Sequence, residues 1–247
     1  MDKANPPVGG KDHRQIGQEL DLFTVSELVG PGLPLITPKG AVIRNIIEKY
    51  IYDLLENYGY QHVWTPHIAR KELYEKSGHL EKFKEDMFPV MRAKDRDYML
   101  KAMNCPHHIQ IFARKPISYR EMPQRYAETS TVYRSEQSGE LGGLTRVLSI
   151  TIDDAHVFCT KDQVKEEFEK ALNIDKQMLK DFNFNKYWIR LSLWDAINRK
   201  KYLGDEKGDI VFKYRPTQVN YLRQNGQLKE LEQKYANKKI LIISHGG

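Results

Sequence analysis

The stretch that most limits what this chain can fold into is YRSEQSGELGGLTRVLSITIDDAHVFC, residues 133–159. A run of residues 125–134 ends in the charged cluster Arg134-Ser135-Glu136. Glycines at 139, 142 and 143 then turn the chain, and a second run, 145–158, carries Arg146, Asp153, Asp154 and His156. Two strand-like runs about a glycine-rich loop predict a β-hairpin with a long flexible tip. On paired strands the two arginines, the carboxylates and the histidine would lie close together. A guanidinium donates two parallel hydrogen bonds, which suits phosphate and carboxylate. The hairpin therefore predicts a site for an anionic ligand, with a metal as an option.

Composition sets the outer bounds. With 247 residues, 40% hydrophobic and 11% aromatic, the chain can bury a core as one large domain or two small ones. The formal net charge of +6 permits nucleic-acid contact without demanding it. Cys105 and Cys159 are the only cysteines, which argues against a disulfide framework and for a reducing, cytoplasmic setting. The first residues lack a signal peptide's apolar core, and no apolar run approaches the roughly 18 residues of a membrane span.

In chain order, residues 1–11 are rich in Pro, Gly and Lys and predict a disordered tail. DHRQIGQELDLFTVSE reads as a polar segment with one strand-like centre, and GPGLPLITPKG as irregular chain with at most a short strand at 33–36. From Pro38, apolar residues at 42, 43, 46, 47, 50, 51, 54 and 55 follow helical spacing, with a stop near 57–59. YQHVWTPHI predicts a buried strand broken by Pro66. Short helices follow near 70–76 and 80–85, then strands at 87–91 and 97–101. MNCPHHIQIFA predicts a helix with Pro106 in its first turn and Ile109 and Phe112 inward. Thr160 with Gln163 has the form of a capping box opening another helix. Residues 186–194 and 239–244 predict strands, and 214–235 looks helical from Thr217. An apolar strand so near the last residue suggests a truncated chain or an edge strand.

The polar clusters each carry two readings. Arg134, Glu136 and Arg146 could serve a nucleotide's phosphates, or form a solvated face whose salt bridges are worth under about 1 kcal/mol each. Cys105 and His156 are a possible zinc pair, or a buried cysteine and a hydrogen-bonded histidine. His107, His108 and Cys159 are spare donors. Strand parity puts Ile152, Asp154 and His156 on one face and Asp153 on the other, as a supporting or surface carboxylate. His79, at a glycine turn, could move protons or be an exposed turn residue.

Four segments in order, SGHLEKFKEDMF, MNCPHH, YRSEQSGELGGLTRV and DDAHVFCT, resemble the catalytic core of the threonyl-tRNA synthetases, a family of class II aminoacyl-tRNA synthetases. DHRQIGQELDLF resembles the segment that opens that core. The resemblance covers residues 12–195 as a partial core and leaves 196–247 as an unmatched α/β tail. It implies an α+β fold, an antiparallel sheet flanked by helices, incomplete at the C-terminal end. It implies ATP-dependent activation of threonine and transfer to the tRNA 3′ end, with dimerisation through the helix from Pro38 and the strand ending at Pro66. By resemblance, Arg134 meets the α-phosphate and the threonine carboxylate, Glu136 lies near the adenine amino group and Arg146 reaches the γ-phosphate. Met103 and Asp154 line the threonine pocket, with Asp154 on the hydroxyl. Cys105 and His156 are two of three zinc ligands, His79 serves the transfer step, and Mg2+ accompanies ATP. A zinc with an open position explains how threonine is told from its near-isostere valine. Departures from the family pattern are Ile150 for Phe, Leu148 and Ile152 for Arg and Gln, and His107 for Gly. Neither a third zinc histidine nor a third motif is found after Asp195. The implied turnover of this chain alone is therefore weak, and a non-catalytic binding or dimerisation module is the competing reading.

Overall fold

The structure is a computed structural model that describes residues 12–187, 189–192, 210–218 and 240–244. The elements run α1 (His13–Glu19), β1 (Phe23–Thr24), β2 (Leu35–Ile36), α2 (Pro38–Asn57), β3 (Gln61–His62), β4 (Ile68–Arg70), α3 (Lys71–Lys76), α4 (His79–Lys82), β5 (Met91–Ala93) and β6 (Arg96–Leu100). They continue with α5 (Cys105–Ala113), β7 (Gln124–Tyr133), β8 (Ser149–Phe158), α6 (Val164–Asp181), β9 (Ile189–Ser192), β10 (Ile210–Gln218) and β11 (Ile240–Ser244). This is the mixed helix-and-sheet class expected from the sequence.

Local chemistry explains most boundaries. Asp12 caps α1 by accepting from the Arg14 amide, so the expected strand-like segment opens as a helix and only Phe23–Thr24 is extended. The backbone carbonyl of Thr37 accepts from Ala41, and its hydroxyl from Gly40, at the start of α2. Gly59, at φ +80°, lets the chain leave its far end in a left-handed turn. The capping box of Thr160 and Gln163 forms as the sequence suggests, in a short turn that leads into α6.

The chain divides into two compact units, and α2, α5, β7 and β8 each run continuously through the division. One unit holds the residues up to Tyr50, Trp64–His107 and Thr129–Ile152. It contains the antiparallel sheet β4-β6-β5, with Ala69 opposite Met99 and Arg92 opposite Asp97. Its core is Tyr74, Met87, Met99 and Ala102, with Ala69 and Leu80 packed against them. The other unit holds Ile51–Val63, His108–Glu128 and the residues from Asp153 on. There Leu55, Tyr60, Ala127 and Ile174 form the core, and Leu172 packs with Ile189 nearby. A three-stranded sheet in the order β3-β7-β8 includes both strands of the predicted hairpin.

Several expectations need correction. The buried strand over YQHVWTPHI shrinks to Gln61–His62, which pairs in parallel with Tyr126 and Ala127. Trp64 is 74% exposed, and Pro66 has no amide with which to continue a ladder. The strand expected at 87–91 lies at Met91–Ala93 instead. Ile109 faces outward, while Phe112 stacks on Phe158 at 4.2 Å between ring centroids. In α2, Val42, Ile43, Ile46 and Ile47 carry the predicted period yet stay exposed. The segment expected to be helical from Thr217 begins within β10, which pairs in parallel with β11 and antiparallel with β9. Residues 1–11, 198–209 and 219–239 lie outside the described residues.

Candidate functional site

The hairpin tip is tighter than the sequence suggests. β8 begins at Ser149 rather than at 145, because Gly142 and Arg146 exchange backbone hydrogen bonds and close a turn within the loop. Gly143, at φ +53°, supplies the left-handed residue that this turn requires. Arg146 therefore sits in the tip, and Arg134 one residue past the end of β7, rather than opposite one another on paired strands.

Three main-chain bonds set the height of Arg134. Its amide donates to the Leu148 carbonyl at 2.9 Å, the Leu148 amide donates to Gly32 at 2.8 Å, and the Ser135 amide donates to Asp86 at 2.9 Å. The Arg134 guanidinium makes no ion pair or hydrogen bond among the described residues. Arg146 differs. Its Nε and Nη2 donate to Glu136 Oε2 at 2.9 and 2.6 Å, and Nη2 lies 2.8 Å from Glu140 Oε2. Glu136 is thus engaged by Arg146, and the hydrogen bonds hold the guanidinium's pKa above its ordinary value.

His79 opens α4 directly after Gly78, which takes φ +73°. Its Nδ1 lies 2.8 Å from the Ser77 hydroxyl and its ring 5.9 Å from that of Phe83. The side chain is half-buried, which corrects the exposed-turn reading. Burial pushes its pKa down against the opposing hydrogen bond at Ser77, which favours the neutral imidazole. Met103 is half-buried between β6 and α5.

Lys101 escaped the sequence reading. It is fully buried, and its Nζ donates to Thr65 Oγ1 at 2.9 Å and to Ser130 Oγ at 2.5 Å. Its backbone carbonyl accepts from the Tyr133 amide at 2.8 Å. A lysine amid YMLKAM was the available signal, since four of its five neighbours there are apolar and the fifth is tyrosine's largely apolar ring.

On β8 Asp154 is buried and His156 half-buried, and their ligand atoms lie within 4.8 Å of each other. Asp153, expected as a supporting or surface carboxylate, is half-buried, with Oδ1 enclosed and without a hydrogen-bond partner among the described residues. Burial first, then the charges of Asp154 and Asp175, push its pKa up to about 7. His156 Nδ1 lies 2.9 Å from His108 Nδ1, and His108 Nε2 lies 3.2 Å from Glu128 Oε2. Cys105 stands one helical turn before His108 on α5, and residues so spaced share a helix face. Cys105, Asp154 and His156 each offer a ligand atom, all within 4.8 Å of one another. Thiolate, imidazole and carboxylate suit a borderline-soft divalent ion, and tetrahedral zinc takes these donors. The family resemblance names Cys105 and His156 as zinc ligands, and the structure brings these two and Asp154 together. Neither Cys105 nor Cys159 forms a disulfide.

Comparison with known proteins follows the same lines. Residues 85–241 match the family model described as tRNA synthetase class II core domain (G, H, P, S and T). The chain is 52% identical over 198 residues to a threonine–tRNA ligase of Rubrobacter xylanophilus, covering 80% of this chain and 31% of that protein. It is 50% identical over 197 residues to one from Staphylococcus aureus, covering 79% and 30%. The chain thus spans about a third of the length of these relatives. A solved structure, the RNA binding domain of threonyl-tRNA synthetase from Cryptosporidium parvum, superposes with TM-score 0.73 at 30% identity, over 95% of this chain and 54% of that one.

Proposed function

The chain belongs to the family of class II tRNA synthetase core domains, and from that premise we propose that it is the adenylate-forming core of a threonine–tRNA ligase. The observation that carries the threonine assignment is the convergence of Cys105, Asp154 and His156. A pocket of that chemistry engages a hydroxyl that valine lacks, which discriminates far better than an apolar pocket can.

In this reading the threonine carboxylate attacks the α-phosphate of ATP. A carboxyl–phosphate bond forms, the bond to the β-phosphate oxygen breaks, and pyrophosphate leaves with its electron pair. Arg134, which has no other ion-pair partner among the described residues, lies against the α-phosphate and the amino-acid carboxylate and offsets charge as it develops. Arg146 exchanges its carboxylate partners for the γ-phosphate, Glu136 turns toward the adenine amino group, and Mg2+ accompanies the nucleotide. Asp154 accepts from the threonine hydroxyl, and Met103 closes the pocket beside it. Cys105 and His156 would hold zinc, which when bound would supply Lewis-acid coordination for the threonine amino and hydroxyl groups. In the transfer step His79, kept neutral by burial, takes the proton of the attacking tRNA ribose hydroxyl.

The exposed stripe Val42, Ile43, Ile46 and Ile47 on α2 suits a homodimer contact. No helix among the described residues is long and apolar enough to cross a membrane.

Calorimetry with a non-hydrolysable threonyl-adenylate analogue tests the proposal. The threonyl compound is expected to bind at least about a hundredfold more tightly than its valyl counterpart. Equal binding, or none, sinks the threonine assignment. Threonine-dependent pyrophosphate exchange then separates enzyme from binding module: weak exchange is expected, and analogue binding with none at all favours the module.

A further inference from the structure

His108 is fully buried on α5, and Glu128, 3% exposed, faces it from β7. As an ionised carboxylate Glu128, 3.2 Å from His108 Nε2, accepts, which puts a proton on that nitrogen. A neutral imidazole has one donor and one acceptor, which leaves His108 Nδ1 as an acceptor. His156 Nδ1, 2.9 Å away, then has to be the donor. We infer that Glu128 and His108 are positioning residues that fix His156 with its proton on Nδ1, so that Nε2 keeps its lone pair for a metal. The inference goes beyond the zinc reading above but rests on it for its purpose.

The rings support this arrangement. Their planes meet at 82° with centroids 4.7 Å apart, an edge-on approach that also fixes the rotation of His156. The reverse arrangement, with both nitrogens of His108 protonated, would force the His156 proton onto Nε2 and block it as a ligand. A single carboxylate at the far end of the relay thus decides whether the near end can bind. Groups that orient a metal-bound histidine in this way are typically worth 10- to 100-fold in metal affinity.

The tautomers can be read directly in the metal-free full chain, labelled with 15N-histidine, by long-range proton–nitrogen correlation. The expected pattern is Nδ1–H for His156 and Nε2–H for His108. A proton on Nε2 of His156 overturns the inference. Zinc affinity measured by chelator competition gives the second readout. His108→Leu is expected to weaken binding by about 10- to 100-fold, and His108→Gln, which keeps an acceptor, to recover part of the loss. Unchanged affinity in His108→Leu also overturns the inference. The expected tautomers without zinc uptake by the unsubstituted chain uphold the relay and sink the zinc reading. Zinc uptake with the opposite tautomer does the reverse.

Discussion

Two arginines in this molecule grip carboxylates with the same fork and serve opposite ends. Arg146 at the hairpin tip is 49% exposed and holds Glu136 and Glu140, the latter 43% exposed. Arg125 on β7 is 15% exposed and holds Glu167 of α6, which is 4% exposed, at 2.5 and 2.6 Å. Water screens the first pair, which can therefore change partners cheaply. The second pair has given up its water, and its halves depend on each other. A ligand site needs charges that can be handed over, whereas the joint between a strand and a helix needs charges that cannot.

Breaking the buried pair should produce the largest effect. Glu167→Ala leaves Arg125 enclosed without its carboxylate and is expected to cost about 3–5 kcal/mol in urea unfolding. A loss below about 1 kcal/mol would erase the distinction between the two arginines. Next, Arg134→Ala is expected to lower threonine-dependent pyrophosphate exchange by about 10²- to 10³-fold while stability moves within about 0.5 kcal/mol. Equal exchange in the variant would remove Arg134 from the chemistry.

Acid sharpens the same contrast. Burial alone would raise the pKa of Glu167, but hydrogen bonds from Arg125 and Lys170 outweigh it and hold it below the usual value of 4.5. Its contribution to stability is therefore present above about pH 4.5 and is lost as pH falls through the depressed folded value. Urea midpoints from pH 7 down to pH 3 should decline more steeply in the unsubstituted chain than in Glu167→Gln, and parallel curves would contradict this. The smallest effect belongs to the tip. Glu140→Ala should leave stability within about 0.5 kcal/mol and tighten ATP binding by no more than about fivefold, measured by calorimetry. A large drop in stability would mean that the tip holds its charges as firmly as the joint does.

The sequence made some elements legible because their cause is local. The helical period and Gly59 marked α2 within a residue or two, and the pattern of Thr160 and Gln163 marked its cap. Periodicity could not tell what covers a stripe, so the exposure of Val42, Ile43, Ile46 and Ile47 was hidden. The length of β3 was hidden too, since two residues of pairing with β7 depend on a partner far along the chain. At the site, resemblance to a family located Cys105 and His156, which their spacing alone does not pair. The relay from Glu128 through His108, and the buried Lys101, arise from contacts between residues 20 to 48 positions apart, and no local pattern encodes them.

The ladder from Gly32 through Leu148 to Arg134 consists of main-chain groups alone. Every amino acid except proline can occupy its middle rung as donor and acceptor. The side chain at 148 can therefore drift without shifting the arginine beside it. That separates two kinds of change in this chain: the chemistry lining the loop can be rewritten residue by residue, while Arg134 stays where the peptide bonds hold it.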